Sequence, residues 1–249
     1  MRLMTQDLFR SDAYLKETIA TIASVSEQGI VLDRTVFYPL GGGQAGDSGV
    51  LVLADGSELR IADTRKGKDA DGHFTSEICH QPAPDGLEAL SKLQQGDAVT
   101  ARIDWERRHR LMRFHTTTHL LCKLVPHLVN GCSITPDYAR LDFNMTDPLD
   151  KEALTEGIAR LVAAAHPITV GSITDEELDA NPALVKSMSV QPPRGTGRIR
   201  TIRVGDGELV DFQPCGGTHV ANTSEIGAVV VTKIEKKSAT TRRVVLGFA

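Results

Sequence analysis

Apolar residues recur along this chain with two different periods. In the first hundred positions, short β-rich runs such as Gly29-Ile30-Val31-Leu32-Asp33 and Gly49-Val50-Leu51-Val52-Leu53 are separated by Gly/Asp turns. Asp55-Gly56 reads as a hairpin turn, and Ala98 to Asp104 as a further strand. The period then lengthens. Leu111, Met112, Phe114, His119, Leu120, Leu121, Leu124 and Leu128 return at three- and four-residue spacing, which predicts a long helix ended by Asn130-Gly131. A second helix is expected over 150–165, with Leu154, Ile158, Leu161 and Val162 on one stripe, and a short one over 175–181. Strands follow over 198–204, 208–212, 228–235 and 242–248. The fold class is therefore α+β. A small N-terminal β-barrel is expected over residues 1–100, and over 101–249 a two-layer α/β domain with helices packed on a mainly antiparallel sheet.

Candidate chemistry sits in two short strings within the second part. His115-Thr116-Thr117-Thr118-His119 lies on the long predicted helix, where the rise of ~1.5 Å per residue stacks His115 and His119 about 6 Å apart on one face. Cys215-Gly216-Gly217-Thr218-His219 follows a strand-like run, and its Pro214 and glycines suit a tight corner that aims a thiolate and an imidazole together. Cysteine sulfur with imidazole nitrogen suits zinc, although spacing alone does not require the two pairs to meet. If they do, a closed shell of four ligands would be structural, and a loose ligand would leave a position for water or substrate. The metalloprotease pattern His-Glu-x-x-His is missing, because threonines fill the space between the histidines. Thr116 and Thr118 flank the histidines on the helix surface while Thr117 points away. A run of three threonines is a poor helix former, as expected where function overrides propensity.

Composition narrows the setting. With 249 residues and 41% hydrophobic content, the chain can bury one large core or two smaller ones. No run approaches the ~18 apolar residues of a membrane span, and Met1 to Asp7 has no apolar signal core, so a cytoplasmic protein without membrane contact is expected. Cys79, Cys122, Cys132 and Cys215 show no disulfide-framework spacing, and Cys122 reads as a small buried hydrophobe. Gly41-Gly42-Gly43 lacks the residues of a P-loop and the spacing of a dinucleotide fingerprint, which excludes ATP and NAD. The net charge of −4 argues against indiscriminate binding to phosphates. Local basic runs remain at Arg107, Arg108, Arg110 and Arg113, at Arg194, Arg198, Arg200 and Arg203, and at Lys233, Lys236, Lys237, Arg242 and Arg243.

Several motifs taken together resemble one family. Phe37 to Gln44, Asp47 and Gly49, His115 to Leu121, Cys215 to Val220, Asn222-Thr223 and Glu225-Ile226-Gly227 are similar to AlaX-type alanyl-tRNA editing proteins, free-standing relatives of the alanyl-tRNA synthetase editing domain. The motifs span residues 37–227 in the family's order. The resemblance implies hydrolysis in trans of the ester joining a wrong amino acid, mainly serine and also glycine, to tRNA(Ala), with Ala-tRNA spared. It implies Zn2+ held by His115, His119, Cys215 and His219, and places Gln44 at the editing pocket. The sequence departs from the family at Thr117, at Ala45 in place of a usual proline, and at Ser238 to Thr241 in place of a glycine-richer loop.

An aminoacyl ester is already activated, so a positioned water and stabilisation of the oxyanion suffice to cleave it. Thr118, Thr116 or the metal would hydrogen-bond a seryl hydroxyl that alanine lacks, Asp211 and Gln213 would orient water or merely cap the corner, and Arg194, Arg198, Arg242 and Arg243 would meet the tRNA. Two other functions fit the same residues: a zinc hydrolase of small esters or amides, and a non-catalytic tRNA-binding module with structural zinc.

Overall fold

Strand-forming runs dominate the chain on both sides of its longest helix. The computed structural model describes residues 5–86, 90, 93–195 and 197–249, so residues 1–4, part of the stretch searched for a signal core, lie outside it. In chain order the elements are β1 (Gln6–Asp7), β2 (Glu17–Ser26), β3 (Gly29–Leu32), β4 (Arg34–Thr35), β5 (Gly49–Val52), β6 (Glu58–Lys68), β7 (Phe74–Pro82), β8 (Ala98–Ile103) and helix α1 (Trp105–Leu124). They continue as β9 (Val129–Ile134), β10 (Ala139–Asn144), α2 (Lys151–Ala163), β11 (Ile168–Ile173), α3 (Asp175–Ala180), β12 (Ile199–Val204), β13 (Asp211–Pro214), β14 (Val229–Ser238) and β15 (Thr241–Phe248). The architecture is mixed α/β with mainly antiparallel sheets. Among the described residues no helix is long and apolar enough to cross a membrane.

Two compact units result, residues 1–41 with 45–109, and residues 42–44 with 110–249. The expected boundary near residue 100 falls inside β8, which cannot be divided, because it pairs antiparallel with both β2 and β5. Gly42–Gln44, expected to belong with the N-terminal part, cluster with the second unit.

In the first unit, β2, β3, β7, β6, β5 and β8 pair in that order and close on themselves as a barrel. Alternation supplies its core: Ile22, Ile30, Leu32, Leu51, Leu59, Ile61 and Val99 point inward from successive strands. Gly56, at positive φ, makes the turn between β5 and β6. This unit also buries a charge. Arg108, with no exposed surface, donates to the Asp47 carboxylate and to the carbonyls of Val36 and Ala13, while Asp47 also accepts from the Tyr38 amide at 2.6 Å.

The second unit holds two antiparallel sheets, β14-β15-β10-β9 and β11-β12-β13, where the hydrophobic pattern suggested one. The short strands β9, β10 and β11 carry mixed burial and were not legible as strands. Helix α1 ends at Leu124, earlier than its apolar spacing predicts, because Pro126 has no amide to donate and disfavours helical backbone before it. Leu128 is consequently exposed, and Asn130-Gly131 lies within β9. Helix α2 starts at its Asp150 cap, which accepts from the Ala153 amide, and packs on β14, where Thr155 Oγ1 accepts from the Val231 amide. Cys122 is buried, as a small hydrophobe would be.

Candidate metal centre

Four metal-competent side chains converge in the second unit. His115 and His119 stand one turn apart on α1 with ring centroids 5.5 Å apart, and Cys215 and His219 come from the loop after β13. One donor atom from each lies within 4.8 Å of the others, so the set could hold a metal ion. Cys215 Sγ is 3.4 Å from His115 Nε2 and 3.3 Å from His219 Nε2. Pro214 ends β13, and the glycines let the loop approach α1. A Cβ on Gly217 would overlap the His115 ring and lie 2.9 Å from Gln44 Oε1, so only glycine fits there.

Each imidazole is fixed from behind through Nδ1, and each by a different group. Gln44 Oε1 accepts from His115 Nδ1 at 2.7 Å and from the Thr218 amide at 3.1 Å, while Gln44 Nε2 donates to Thr218 Oγ1 at 2.9 Å. Because that oxygen already accepts an amide proton, the His115 proton sits on Nδ1 and leaves the Nε2 lone pair free. Asp211 Oδ2 takes the same role for His119 at 2.7 Å. Thr116 Oγ1 faces His219 Nδ1 at 3.2 Å and accepts from the Val220 amide at 3.3 Å. Three Nε2 atoms and one sulfur therefore point at a common centre. Such outer bonds fix ring orientation and tautomer in metal sites.

The threonine run has a structural explanation. Thr117 and Thr118 donate to the carbonyls of Arg113 and His115 at 2.8 and 2.7 Å, which satisfies buried hydroxyls inside the helix. Thr117, expected to point away from the histidines, is buried. Electrostatics favour a thiolate: burial alone would raise the Cys215 thiol, but His115 and His219 hold it well below the ordinary thiol range. Burial pushes His219 down to about 3. Burial opposes charge on His119 as well, yet the Asp211 carboxylate draws it up to about 9, while Asp211 is held near 2 by His119 and Lys186 despite its own burial.

Of the other residues singled out from the sequence, Gln44, Thr118 and Asp211 lie in or beside this cluster, and Gln213 Nε2 donates to Asp211 at 2.8 Å. The basic runs are mostly occupied. Arg107 bonds Gly46 O, Arg110 bonds Pro136 O, and Arg113 bonds Ile226 O, the last two guanidinium groups lying over the Phe248 ring. Arg194 pairs with Asp179 at 2.7 Å, Arg198 donates to Ser172 Oγ at 2.6 Å, and Arg243 grips Asp142 through two bonds of 2.7 and 2.9 Å. Arg242 is buried and bonds the carbonyls of Ser238 and Thr146. Lys233, Lys236 and Lys237 on β14 are exposed, Lys233 being paired with Glu235 at 2.7 Å. Lys186, ion-paired with Asp211, was not foreseen: a single lysine in an irregular segment carries no spacing signal.

Comparison with known proteins places this geometry. Residues 199–245 match the family described as threonyl and alanyl tRNA synthetase second additional domain, and residues 9–107 match class II (A) tRNA synthetases. The chain is 36% identical to the alanyl-tRNA editing protein AlaX-M of Methanosarcina barkeri, over 96% of this chain and 97% of that protein. It is 31% identical to AlaX-M of Saccharolobus solfataricus, over 97% and 98% of the two chains. The alanine–tRNA ligase of Metallosphaera sedula is 34% identical across 93% of this chain, which corresponds to 25% of the ligase.

Proposed function

Because the chain belongs to the AlaX-type family of alanyl-tRNA editing proteins, we propose that it is a trans-editing hydrolase that removes serine, and also glycine, from mischarged tRNA(Ala) while sparing Ala-tRNA(Ala). The observation that carries this function is the convergence of His115, His119, Cys215 and His219, each imidazole presenting Nε2. Zinc fits the donor set. Zn–N and Zn–S bonds of about 2.0 and 2.3 Å in a tetrahedron place sulfur and nitrogen roughly 3.5 Å apart, close to the 3.3 and 3.4 Å observed. When bound, zinc would supply positive charge for a developing oxyanion or a hold on the substrate's amine or hydroxyl.

The chain's own residues supply orientation and selection. Gln44 and Asp211 fix His115 and His119 from behind, so they act as positioning groups rather than as bases. Thr118 Oγ1 donates to a helix carbonyl and keeps its acceptor lone pairs, which suits it to take a hydrogen bond from a seryl hydroxyl. An alanyl ester would leave such a polar group unpaired, which is how a small site rejects the correct product. Contacts with the tRNA are assigned to Arg194 and Arg198 and to the hairpin that carries Arg242 and Arg243, whose exposed lysines Lys233, Lys236 and Lys237 provide phosphate contacts. A cytoplasmic place of action follows from such a substrate.

The decisive experiment follows ester loss from Ser-tRNA(Ala) and Ala-tRNA(Ala) with the zinc-loaded chain and its Cys215→Ala variant. Rapid loss of serine with the parent alone is expected. No loss would sink the proposal, and equal turnover of free seryl esters would make the protein a small-ester hydrolase. Thr118→Val is expected to reduce the preference for seryl over alanyl ester about tenfold, as measured by the ratio of the two deacylation rates.

A further inference from the structure

The Asp211 carboxylate is held on both oxygens inside the second unit. Oδ2 accepts from His119 Nδ1 at 2.7 Å and from Gln213 Nε2 at 2.8 Å, while Oδ1 is ion-paired with Lys186 Nζ. The Asp211 side chain has no exposed surface, and that of Lys186 is 26% exposed. Removing a carboxylate from water is costly unless a cation and hydrogen bonds replace the solvent. Lys186 provides that cation. Its backbone is also fixed: Lys186 O accepts from the Val129 amide at 2.8 Å, the Met188 amide donates back to Val129 O at 2.9 Å, and Ser187 bridges Val129 at the start of β9. Lys186 and Asp211 line one pocket together with Asn181, Ala183, Leu184 and Leu209. Lys186 is therefore delivered to Asp211 by a pinned segment.

From this geometry we infer that Lys186 is a positioning residue of the metal centre, acting through Asp211 to hold the His119 ring with Nε2 toward the other donors. The inference rests on the zinc reading of the four ligands. Without the ammonium group, the Oδ1 charge is unbalanced in a dry site, and the carboxylate must turn toward other donors or draw in water. Either outcome loosens the bond that orients His119. Changes to such outer partners lower metal affinity by about 10- to 100-fold.

The test uses the full chain, stripped of metal, titrated with Zn2+ against a chromophoric chelator, with Co2+ absorption as a second probe of coordination. Lys186→Met is expected to weaken zinc binding about 10- to 100-fold, and Lys186→Arg to recover most of the loss. Because Lys186 acts through Asp211, Lys186→Met should have no further effect in an Asp211→Asn background. Unchanged zinc affinity in Lys186→Met, or losses that multiply in the double variant, would overturn the role of Lys186. If Lys186→Met does not fold, Lys186→Gln replaces it in the same cycle. A parent chain that takes up no zinc would overturn the metal centre itself, a failure separable from equal binding by parent and variant.

Discussion

A single methyl group at Gly217 is enough to disturb the centre. A Cβ there meets the His115 ring and Gln44 Oε1, groups fixed by their own hydrogen bonds, so neither can yield cheaply. Gly217→Ala is expected to lower metal affinity at least tenfold and deacylation with it, measured by chelator competition and by Ser-tRNA(Ala) turnover. A second residue reports on stability. His80 in the barrel is fully buried, with Nδ1 donating to Ile30 O at 2.9 Å and Nε2 2.7 Å from Thr35 Oγ1. Burial lowers it from 6.5 to about 4, only partly opposed by the bond to Ile30. The folded state prefers the neutral ring, so its contribution is fully present above pH 6.5 and is lost as pH falls toward 4. The loss approaches roughly 3 kcal/mol. Denaturant unfolding at a series of pH values should show this slope in the parent and a flatter one in His80→Gln. At this scale the sequence disclosed all four candidate ligands, because types and spacing identify them, but not their supports. The bond from Thr116 to His219 and that from Lys186 to Asp211 join residues 103 and 25 positions apart, which no local pattern records.

Elements owe their limits to a few positions. Helix α2 runs into Ala165, whose φ of +53° is left-handed and unfavourable for a residue with a Cβ. Ala165→Gly should therefore raise stability by about 0.5–1 kcal/mol, read as a higher melting temperature with unchanged activity. The first turn of α1 carries one half of a buried ion pair, Arg108 with Asp47. Asp47→Asn would leave Arg108 without its counter-charge and is expected to destabilise the fold by about 3–5 kcal/mol, measured by chemical denaturation. Asp47 and Gly49 thus belong to the glycine-rich motif for structural reasons: Asp47 holds Arg108 and the Tyr38 amide, and Gly49 lies too close to the Arg102 carbonyl for any side chain. The long helix and both helices after it were legible from period and caps, because apolar spacing and Asp150 are local signals. β9 and β10 were not: β9 is half-buried and interrupted by Gly131, so alternation never develops there, and β10 does alternate, with Ala139, Leu141 and Phe143 buried, but over only six residues. The end of α1 shows proline overriding a stripe that continued to Leu128.

For the whole molecule, strand content was legible, whereas the division of the second unit into two sheets was not, since pairing partners are set by contacts distant in sequence. If the hairpin of β14 and β15 carries the phosphate contacts, replacing Lys236 and Lys237 by Ala should lower tRNA affinity and reduce the salt dependence of log Kd by about 2, leaving zinc affinity intact; filter binding across a salt series measures it. The excursion of Gly42–Gln44 into the second unit has a further consequence. Gly43, at positive φ with no room for a Cβ beside Cys132, hands its carbonyl to the Ile134 amide and delivers Gln44 to His115. A fragment beginning at Arg110 would keep every candidate ligand yet lose the carboxamide that sets the His115 tautomer. The centre thus depends on a segment lying 71 positions upstream of His115.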